Sequence, residues 1–563
     1  MGQLLKLKET ATAATAERGR VLVADPISER GIARLRQEFD VEVAEGWDQQ
    51  ELLERIEDFD ALVVRSGTQV DAGVIERGTA LRVIVRAGIG VDNVDIGAAT
   101  RRGILVANAP ESTVLSAAEL TIALLLALAR NVPQSDRALH EGEWARTRFT
   151  GVEVEGKVLG ILGLGRIGRL VAAKARALGM VVIGFDPYIG AERFAETGTA
   201  RCGGLDALLA RVDFLTIHLP KTAKTDGLLD EAALAKLKPG ARLINCARGG
   251  IVVESALIQA LDSGALAGAA LDVFEHEPLG DHPLLERPNV IVTPHLGAST
   301  HEAQDAAGVQ AAEQVIVALG GNEIPASAVN LPMAPVPVSE PGTGPGMGLA
   351  HRLGALSAAL IDDDDSLKGV EVAARGNLAE LGLPLLGAAA LAGVLTESSE
   401  SELNFLNAPL IARERGIGLT EVRESDDEDP SEVLRVSVIA SSGERMDALG
   451  IPGTGGMPPR LLGLWEQHFD VELATYLVVL QYEDRPGMLG FVGTLLGERG
   501  LSIVSAAVGR RARAASASDD GQAAMVITLE QALPREWLQE ILEQPGFLAG
   551  RSITLNGQDG AIR

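Results

Sequence analysis

The chain has 563 residues and a formal net charge of −27, too long for one core, since single cores stop growing near roughly 250–300 residues, so three or more domains are expected. The acidic balance excludes a nucleic-acid partner, because gripping phosphate backbones needs clustered Lys and Arg. Cys202 and Cys246 are the only cysteines, which excludes a disulfide framework and suits a reducing, cytoplasmic compartment.

Residues 1–19 are polar and Ala/Thr-rich with no apolar core of a secretory signal, and are expected to be a disordered tail. From Val21 to Ile291 short runs of Val, Ile and Leu alternate with longer Ala/Leu/Arg segments of helical period. The runs are Val21–Ala24, Ala61–Val64, Leu81–Val85, Val158–Leu162, Val181–Phe185, Phe214–Ile217, Arg242–Asn245 and Val290–Thr293. Continuous apolar strands separated by helices predict α/β structure with doubly wound parallel sheets. The runs are too many for one sheet, so two Rossmann-like or flavodoxin-like lobes around a cleft are expected. The apolar stretch Leu120–Ala129, flanked by Glu119 and Arg130, falls short of the ~18–20 residues of a membrane span and predicts a buried helix.

The run Val158–Leu162 leads directly into Gly163-Leu-Gly165-Arg166-Ile167-Gly168, and Arg166–Leu178 continues with helical period. The glycines have distinct physical roles, with a tight turn at Gly163, close approach of a pyrophosphate at Gly165 and helix-to-strand packing at Gly168. The following helix N-terminus faces the phosphates with unpaired N–H groups. Asp186, 18 residues after Gly168, stands where an acid accepts the adenosine ribose hydroxyls, and an acid repels a 2′-phosphate, so the cofactor expected is NAD.

Hydride transfer to a nicotinamide needs a group that takes the substrate hydroxyl proton and a cation that grips its carboxylate. Three strand ends downstream carry such groups: Asn245-Cys246-Ala247-Arg248, Leu271-Asp272 through Glu275-His276-Glu277-Pro278, and Thr293-Pro-His295-Leu-Gly297. Glu277 is the candidate partner of His295, with Glu275 as rival. Cys246 is read as packing rather than as a nucleophile.

These motifs and their gaps, 29 residues from Arg248 to Glu277 and 18 from Glu277 to His295, resemble the D-isomer-specific 2-hydroxyacid dehydrogenase family over Val21–Leu331. The resemblance implies His295 as general acid/base, Glu277 as its partner and Arg248 as carboxylate clamp. It further implies that Asp272 holds the nicotinamide carboxamide, and that Gly163, Gly165, Arg166, Ile167, Gly168, Asp186, His218, Leu219, Cys246, Ala247 and Gly297 contact NAD. Residues 20–110 and 300–330 are then a discontinuous substrate domain and 111–299 the NAD-binding domain.

The first lobe holds Arg65-Ser66-Gly-Thr68, Val85-Arg86-Ala-Gly88 and Asn108-Ala-Pro110. These resemble the branch of the family that oxidises 3-phosphoglycerate, implying that Arg65, Ser66, Arg86 and Asn108 bind substrate. A reductase of glyoxylate or hydroxypyruvate and a dinucleotide-sensing corepressor-like scaffold are the alternatives on this fold.

After Asn330 a Pro/Gly/Ser stretch, 331–350, reads as a linker. Ser366–Glu371 predicts a strand and Leu385–Leu395 a helix. Phe405-Leu-Asn407-Ala-Pro409 resembles the intervening domain of long-form members, taken as 351–473 with α+β structure. The acidic runs Asp362–Asp365 and Glu424–Asp429 are read as solvated loops, and no metal site is assigned. From 474 onward strands and helices predict a βαββαβ module, and Tyr482-Glu-Asp484-Arg485-Pro486-Gly487 resembles the opening of an ACT domain. Tyr482, Asp484 and Ser502 are the expected amino-acid effector contacts. Ser502 stands where relatives place an Asn, a departure that weighs against L-serine feedback. A homodimer or homotetramer is expected, with no membrane partner.

Overall fold

The Val- and Ile-rich runs form strands because β-branched side chains pack well on a pleated surface, and burial of both faces makes those strands parallel. The structure, a computed structural model, describes residues 18–44, 47–320, 323–332, 343–362, 365–380, 382–396, 403–424, 432–453, 457–511 and 522–555. The tail up to residue 17, residues 333–342 of the expected linker, and residues 363–364 and 425–429 of the acidic runs lie outside the described residues. By contacts the chain divides into two units, Pro110–Gln310 and the remainder.

In the remainder, β1 (Arg20–Val23), β2 (Asp40–Val43), β3 (Ala61–Val64), β4 (Val83–Arg86) and β5 (Leu105–Asn108) form a parallel sheet of order β2-β1-β3-β4-β5, the flavodoxin-like winding. The side chains of Val21, Leu22 and Val23 are all fully buried. The open edge, β5, is covered by a distant segment. Asn330 accepts a hydrogen bond from Val106 N–H at 2.9 Å and donates to Ile104 O at 2.9 Å, while Val329 N–H donates to Val106 O at 2.8 Å.

The unit Pro110–Gln310 holds β6 (Val158–Leu162), β7 (Val181–Phe185), β8 (Ala200–Arg201), β9 (Phe214–Ile217), β10 (Ala241–Asn245), β11 (Leu266–Leu271) and β12 (Val290–Val292). Their order, β12-β11-β10-β9-β6-β7-β8, is parallel throughout and reverses direction between β6 and β9. Open α/β sheets bind ligands at the carboxyl ends of strands at such a reversal. The expected apolar helix is Val114–Arg130, with Leu124, Leu125 and Leu128 buried against the sheet.

The expected linker ends early, since a helix starts at Thr343 with Pro345 in its first turn, where a missing N–H costs nothing. That helix meets Leu383–Leu395 closely enough that a Cβ on Gly354 would overlap Ala390 O. Beside them β13 (Leu367–Arg375), β14 (Gly418–Arg423), β15 (Val433–Ala440), β16 (Arg445–Ile451), β17 (Arg460–Leu464) and β18 (Gln467–Glu472) form a mixed sheet. The last module pairs β19 (Tyr476–Glu483), β20 (Ile503–Val508), β22 (Gln522–Leu529) and β23 (Phe547–Thr554) in the order β20-β22-β19-β23, while the short β21 (Arg510–Arg511) joins β18. With helices Met488–Glu498 and Arg535–Leu542 this is the expected βαββαβ arrangement. Among the described residues no single helix is long and apolar enough to cross a membrane.

Candidate active site

At the β6–β9 reversal the three glycines act in different ways. Gly163 has φ +89°, and a Cβ there would stand 2.5 Å from His218 O. A Cβ on Gly168 would overlap Gly163 O. Gly165 has no atom within 4 Å of its missing Cβ and begins the helix Arg166–Ala177 with no side chain capping it. Open space and uncapped N–H groups together fit a pyrophosphate. Ile167 packs into the core below, and the exposed Arg166 lies 3.9 Å from Glu111.

Asp186 ends the neighbouring strand, with Oδ2 accepting from Leu164 N–H at 3.0 Å and Oδ1 from Tyr188 N–H at 3.0 Å. Each oxygen keeps acceptor capacity for a ribose hydroxyl. Asp186→Ala should weaken NAD by about 10–150-fold, the scale of a lost hydrogen bond to a charged group, and weaken NADP less. Titration with both dinucleotides checks this, and equal losses would remove Asp186 from ribose recognition.

Burial drives the His218 imidazole down to about 3, so it stays neutral, with Nε2 3.1 Å from the Thr216 hydroxyl. Burial pushes the Cys246 thiol up to about 12 against a hydrogen bond from Thr121, which suits packing and not thiolate chemistry. Cys246 packs against one hydrophobic core, and Leu219 and Ala247 against another.

The residues expected to carry the acid/base chemistry follow the ends of β10, β11 and β12. The buried Asn245 side chain accepts from Ala247 N–H at 3.0 Å and donates to Arg248 O at 3.0 Å, shaping the turn that carries Arg248. Glu277 Oε2 lies 2.6 Å from His295 Nδ1, and its Oε1 accepts from Phe274 N–H at 3.0 Å. Burial alone would raise the Glu277 carboxyl, but the His295 bond, the Phe274 N–H and the nearby Arg248 charge outweigh it and hold it below the usual carboxylate range. As an ionised acceptor, Glu277 places the proton on Nδ1 and leaves Nε2 free. Glu275 does not face His295: its Oε1 accepts from Glu254 N–H at 3.1 Å.

His295 sits at φ +54°, a left-handed conformation costing a non-glycine residue about 1–2 kcal/mol. Asp272 holds it there. Its O accepts from His295 N–H at 3.0 Å, Oδ1 from Thr293 Oγ1 at 2.5 Å and Leu296 N–H at 2.7 Å, and Oδ2 from Gly297 N–H at 2.9 Å. Burial raises the Asp272 carboxyl against the pull of these donors. Asp272 is fully buried, and these bonds hold the histidine loop. Gly297 is pinned from the other side by Ser116, whose hydroxyl donates to Gly297 O at 2.8 Å.

In the five-stranded sheet the turn that carries the expected substrate residues Arg65 and Ser66 closes on an acid that the sequence did not single out. The buried Asp25, following β1, accepts through Oδ2 from Arg65 N–H at 2.6 Å and Thr68 N–H at 3.1 Å, and through Oδ1 from Thr68 Oγ1 at 2.9 Å. This closes the Arg65-Ser66-Gly67-Thr68 turn, and a Cβ on Gly67 would press on Asp25 at 2.7 Å. Asn93 donates to Arg65 O at 2.8 Å and Thr68 O at 2.6 Å, and Arg86 Nε donates to Arg65 O at 3.3 Å. Asn108 donates to Ile89 O at 2.6 Å. Asp25, which sequence reasoning missed, lies just beyond the end of β1, the signal that would have found it; Asn93 belongs to the motif that follows β4, with no role read for it there.

In the last module Asp484 and Ser502 are exposed. Tyr482, the third expected effector contact, is 3% exposed, with its ring 6.2 Å from that of Phe547. Its alternating position in β19 turns it into the core.

A glycine turn open to a pyrophosphate, an acid at the end of the next strand and a carboxylate-held histidine fit a nicotinamide-dependent dehydrogenase of 2-hydroxy acids. Accordingly, residues 122–297 match the family model of the D-isomer specific 2-hydroxyacid dehydrogenase NAD binding domain, and residues 343–454 that of the D-3-phosphoglycerate dehydrogenase intervening domain. The D-3-phosphoglycerate dehydrogenase of Mycobacterium tuberculosis is 41% identical over 91% of this chain and 95% of its own length. That of Methanocaldococcus jannaschii is 41% identical over 94% and 98%. The solved NADPH-dependent glyoxylate/hydroxypyruvate reductase of Sinorhizobium meliloti is 29% identical with a TM-score of 0.51, covering 56% of this chain and 97% of that one. The chain belongs to the D-3-phosphoglycerate dehydrogenase family.

Proposed function

We propose that the chain oxidises 3-phospho-D-glycerate to 3-phosphohydroxypyruvate with NAD, the entry step of L-serine synthesis. The observation that carries the chemistry is the His295 Nδ1–Glu277 Oε2 contact of 2.6 Å on a sheet whose glycine turn is open. Glu277 fixes the tautomer, so His295 Nε2 takes the proton of the C2 hydroxyl as the carbonyl forms. Arg248 holds the substrate carboxylate and favours the developing carbonyl. Arg65, Ser66, Arg86 and Asn108 supply the remaining grip, two cations matching the phosphate of this substrate. NAD, when bound, would supply the hydride acceptor for C2; Gly163, Gly165, Gly168 and Asp186 would hold it, and the part-buried, neutral His218 and protonated Cys246 keep that wall free of charge.

In the same reading the chain works as a dimer or tetramer in the cytoplasm, and the terminal βαββαβ module serves as an ACT effector domain. Support for pairing comes from exposed apolar side chains in the NAD-binding unit, Leu115, Val132, Leu139 and Trp144. A panel of 2-hydroxy acids with NAD, followed by nicotinamide absorbance with and without L-serine, tests the substrate. Turnover of 3-phosphoglycerate above glycerate, lactate and glyoxylate-derived acids is expected, and activity confined to unphosphorylated acids would sink the assignment.

A further inference from the structure

We propose that Glu254 is a positioning residue, whose carboxylate staples the catalytic loop at Glu275 and His282 and thereby sets Glu277 against His295 and Arg248. The proposal rests on the reading of Glu277 and His295 as the acid/base pair. Glu277 lies in a segment without helix or strand between Phe274 and His282, so its place depends on what holds the segment's ends. Glu254, the first residue of the helix Glu254–Asp262, holds both. Its Oε1 accepts from Glu275 N–H at 2.7 Å, and its Oε2 lies 3.1 Å from His282 Nε2.

The histidine's hydrogen bonds orient it. Nδ1 of His282 accepts from Leu284 N–H at 3.3 Å, so the proton sits on Nε2 and points at Glu254. The two side chains are only 23% and 13% exposed, so this contact escapes most of the solvent screening that makes surface pairs weak. Glu275 returns the bond, its Oε1 capping Glu254 N–H at 3.1 Å, a donor that the N-cap residue Val253 leaves without a side-chain acceptor. The two loops also touch through backbone: a Cβ on Gly249 would overlap Phe274 O. Arg248 precedes that contact in one loop and Glu277 follows it in the other. The Arg248 charge that helps hold Glu277 ionised therefore acts across a junction fastened by Glu254.

The test uses the full-length protein and the variants Glu254→Ala, which removes both arms, and His282→Ala, which removes one. Glu254→Ala should lower kcat by about 10–100-fold, the scale of a misplaced catalytic group, with the KM for NAD and the melting temperature near parental values; His282→Ala should lose less. A substrate-independent readout is the downfield proton resonance of His295 Nδ1–H bonded to Glu277, assigned by its loss in His295→Ala. In Glu254→Ala that resonance should shift upfield or broaden away. Turnover within twofold of the parent with an unmoved resonance would overturn the proposal, as would a turnover loss that comes only with lost NAD binding and lost cooperative melting. Whether the unaltered protein oxidises 3-phosphoglycerate decides the substrate separately, because the resonance reports the staple whichever 2-hydroxy acid is used.

Discussion

His295→Ala should lower kcat by about 10²–10⁴-fold, the range lost with a general acid/base, while leaving the KM for NAD little changed. The second half of that expectation follows from how the loop is built. Asp272 grips residues 295–297 through the backbone N–H groups of His295, Leu296 and Gly297, and an alanine keeps all three. The loop therefore survives the loss of the imidazole, and the glycine turn follows a different strand. Glu277 keeps the Phe274 N–H after its partner is gone. Because His295 and Glu277 act as one unit, adding Glu277→Gln to His295→Ala should cost little more than the single change. Steady-state turnover of the three variants checks both points, and near-parental turnover of His295→Ala would remove it from the mechanism.

Gly168→Ala and Gly165→Ala should separate folding from cofactor binding. At Gly168 the new methyl meets Gly163 O, a backbone atom that cannot rotate aside. Overpacking of this kind costs about 1–3 kcal/mol, so the variant should melt earlier and lose NAD together. At Gly165 φ is −69° and the methyl points into open space, so the protein without NAD should melt as the parent does. The same space is where the pyrophosphate must approach, so NAD should raise its melting temperature far less than the parent's, by the mass-action relation between ligand and stability. Thermal melts with and without NAD distinguish the two. Equal stabilisation of Gly165→Ala and parent by NAD would misplace the pyrophosphate.

Those parts of the molecule governed by local pattern were legible in the sequence. Ala61–Val64, Val158–Leu162, Val181–Phe185 and Phe214–Ile217 are observed strands with the bounds of their apolar runs, because a doubly covered strand needs an unbroken apolar run. Residue types at strand ends likewise pointed to His295, Glu277 and Arg248. What the pattern hid were strands half exposed or broken by charge. In β14, Gly418–Arg423, the burial is intermediate or exposed throughout, and β15 and β16 carry Arg435 and Arg445, which pair with Glu371 of the expected strand β13 across the sheet. Such strands show polar residues where an apolar alternation was sought. Also hidden were residues whose work is to hold others. Asp25, Glu254 and His282 have no motif; their meaning lies in bonds that only the folded chain brings near. Asp272 is a related case: its position was noted, but not the bonds by which its carboxylate holds the histidine loop.

The covering of β5 by Asn330 has a consequence for how the protein is made. The two residues that pair there, Val106 and Asn330, are 224 apart in sequence, and a ribosome adds about 5–20 residues per second. For roughly 10–45 s at that rate, the first sheet of a nascent chain would have its five strands but not the side chain that satisfies its edge. An unpaired edge is a template for a neighbouring chain, so on a crowded polysome the interval between β5 and Asn330 is the stage at which this chain would most need a chaperone.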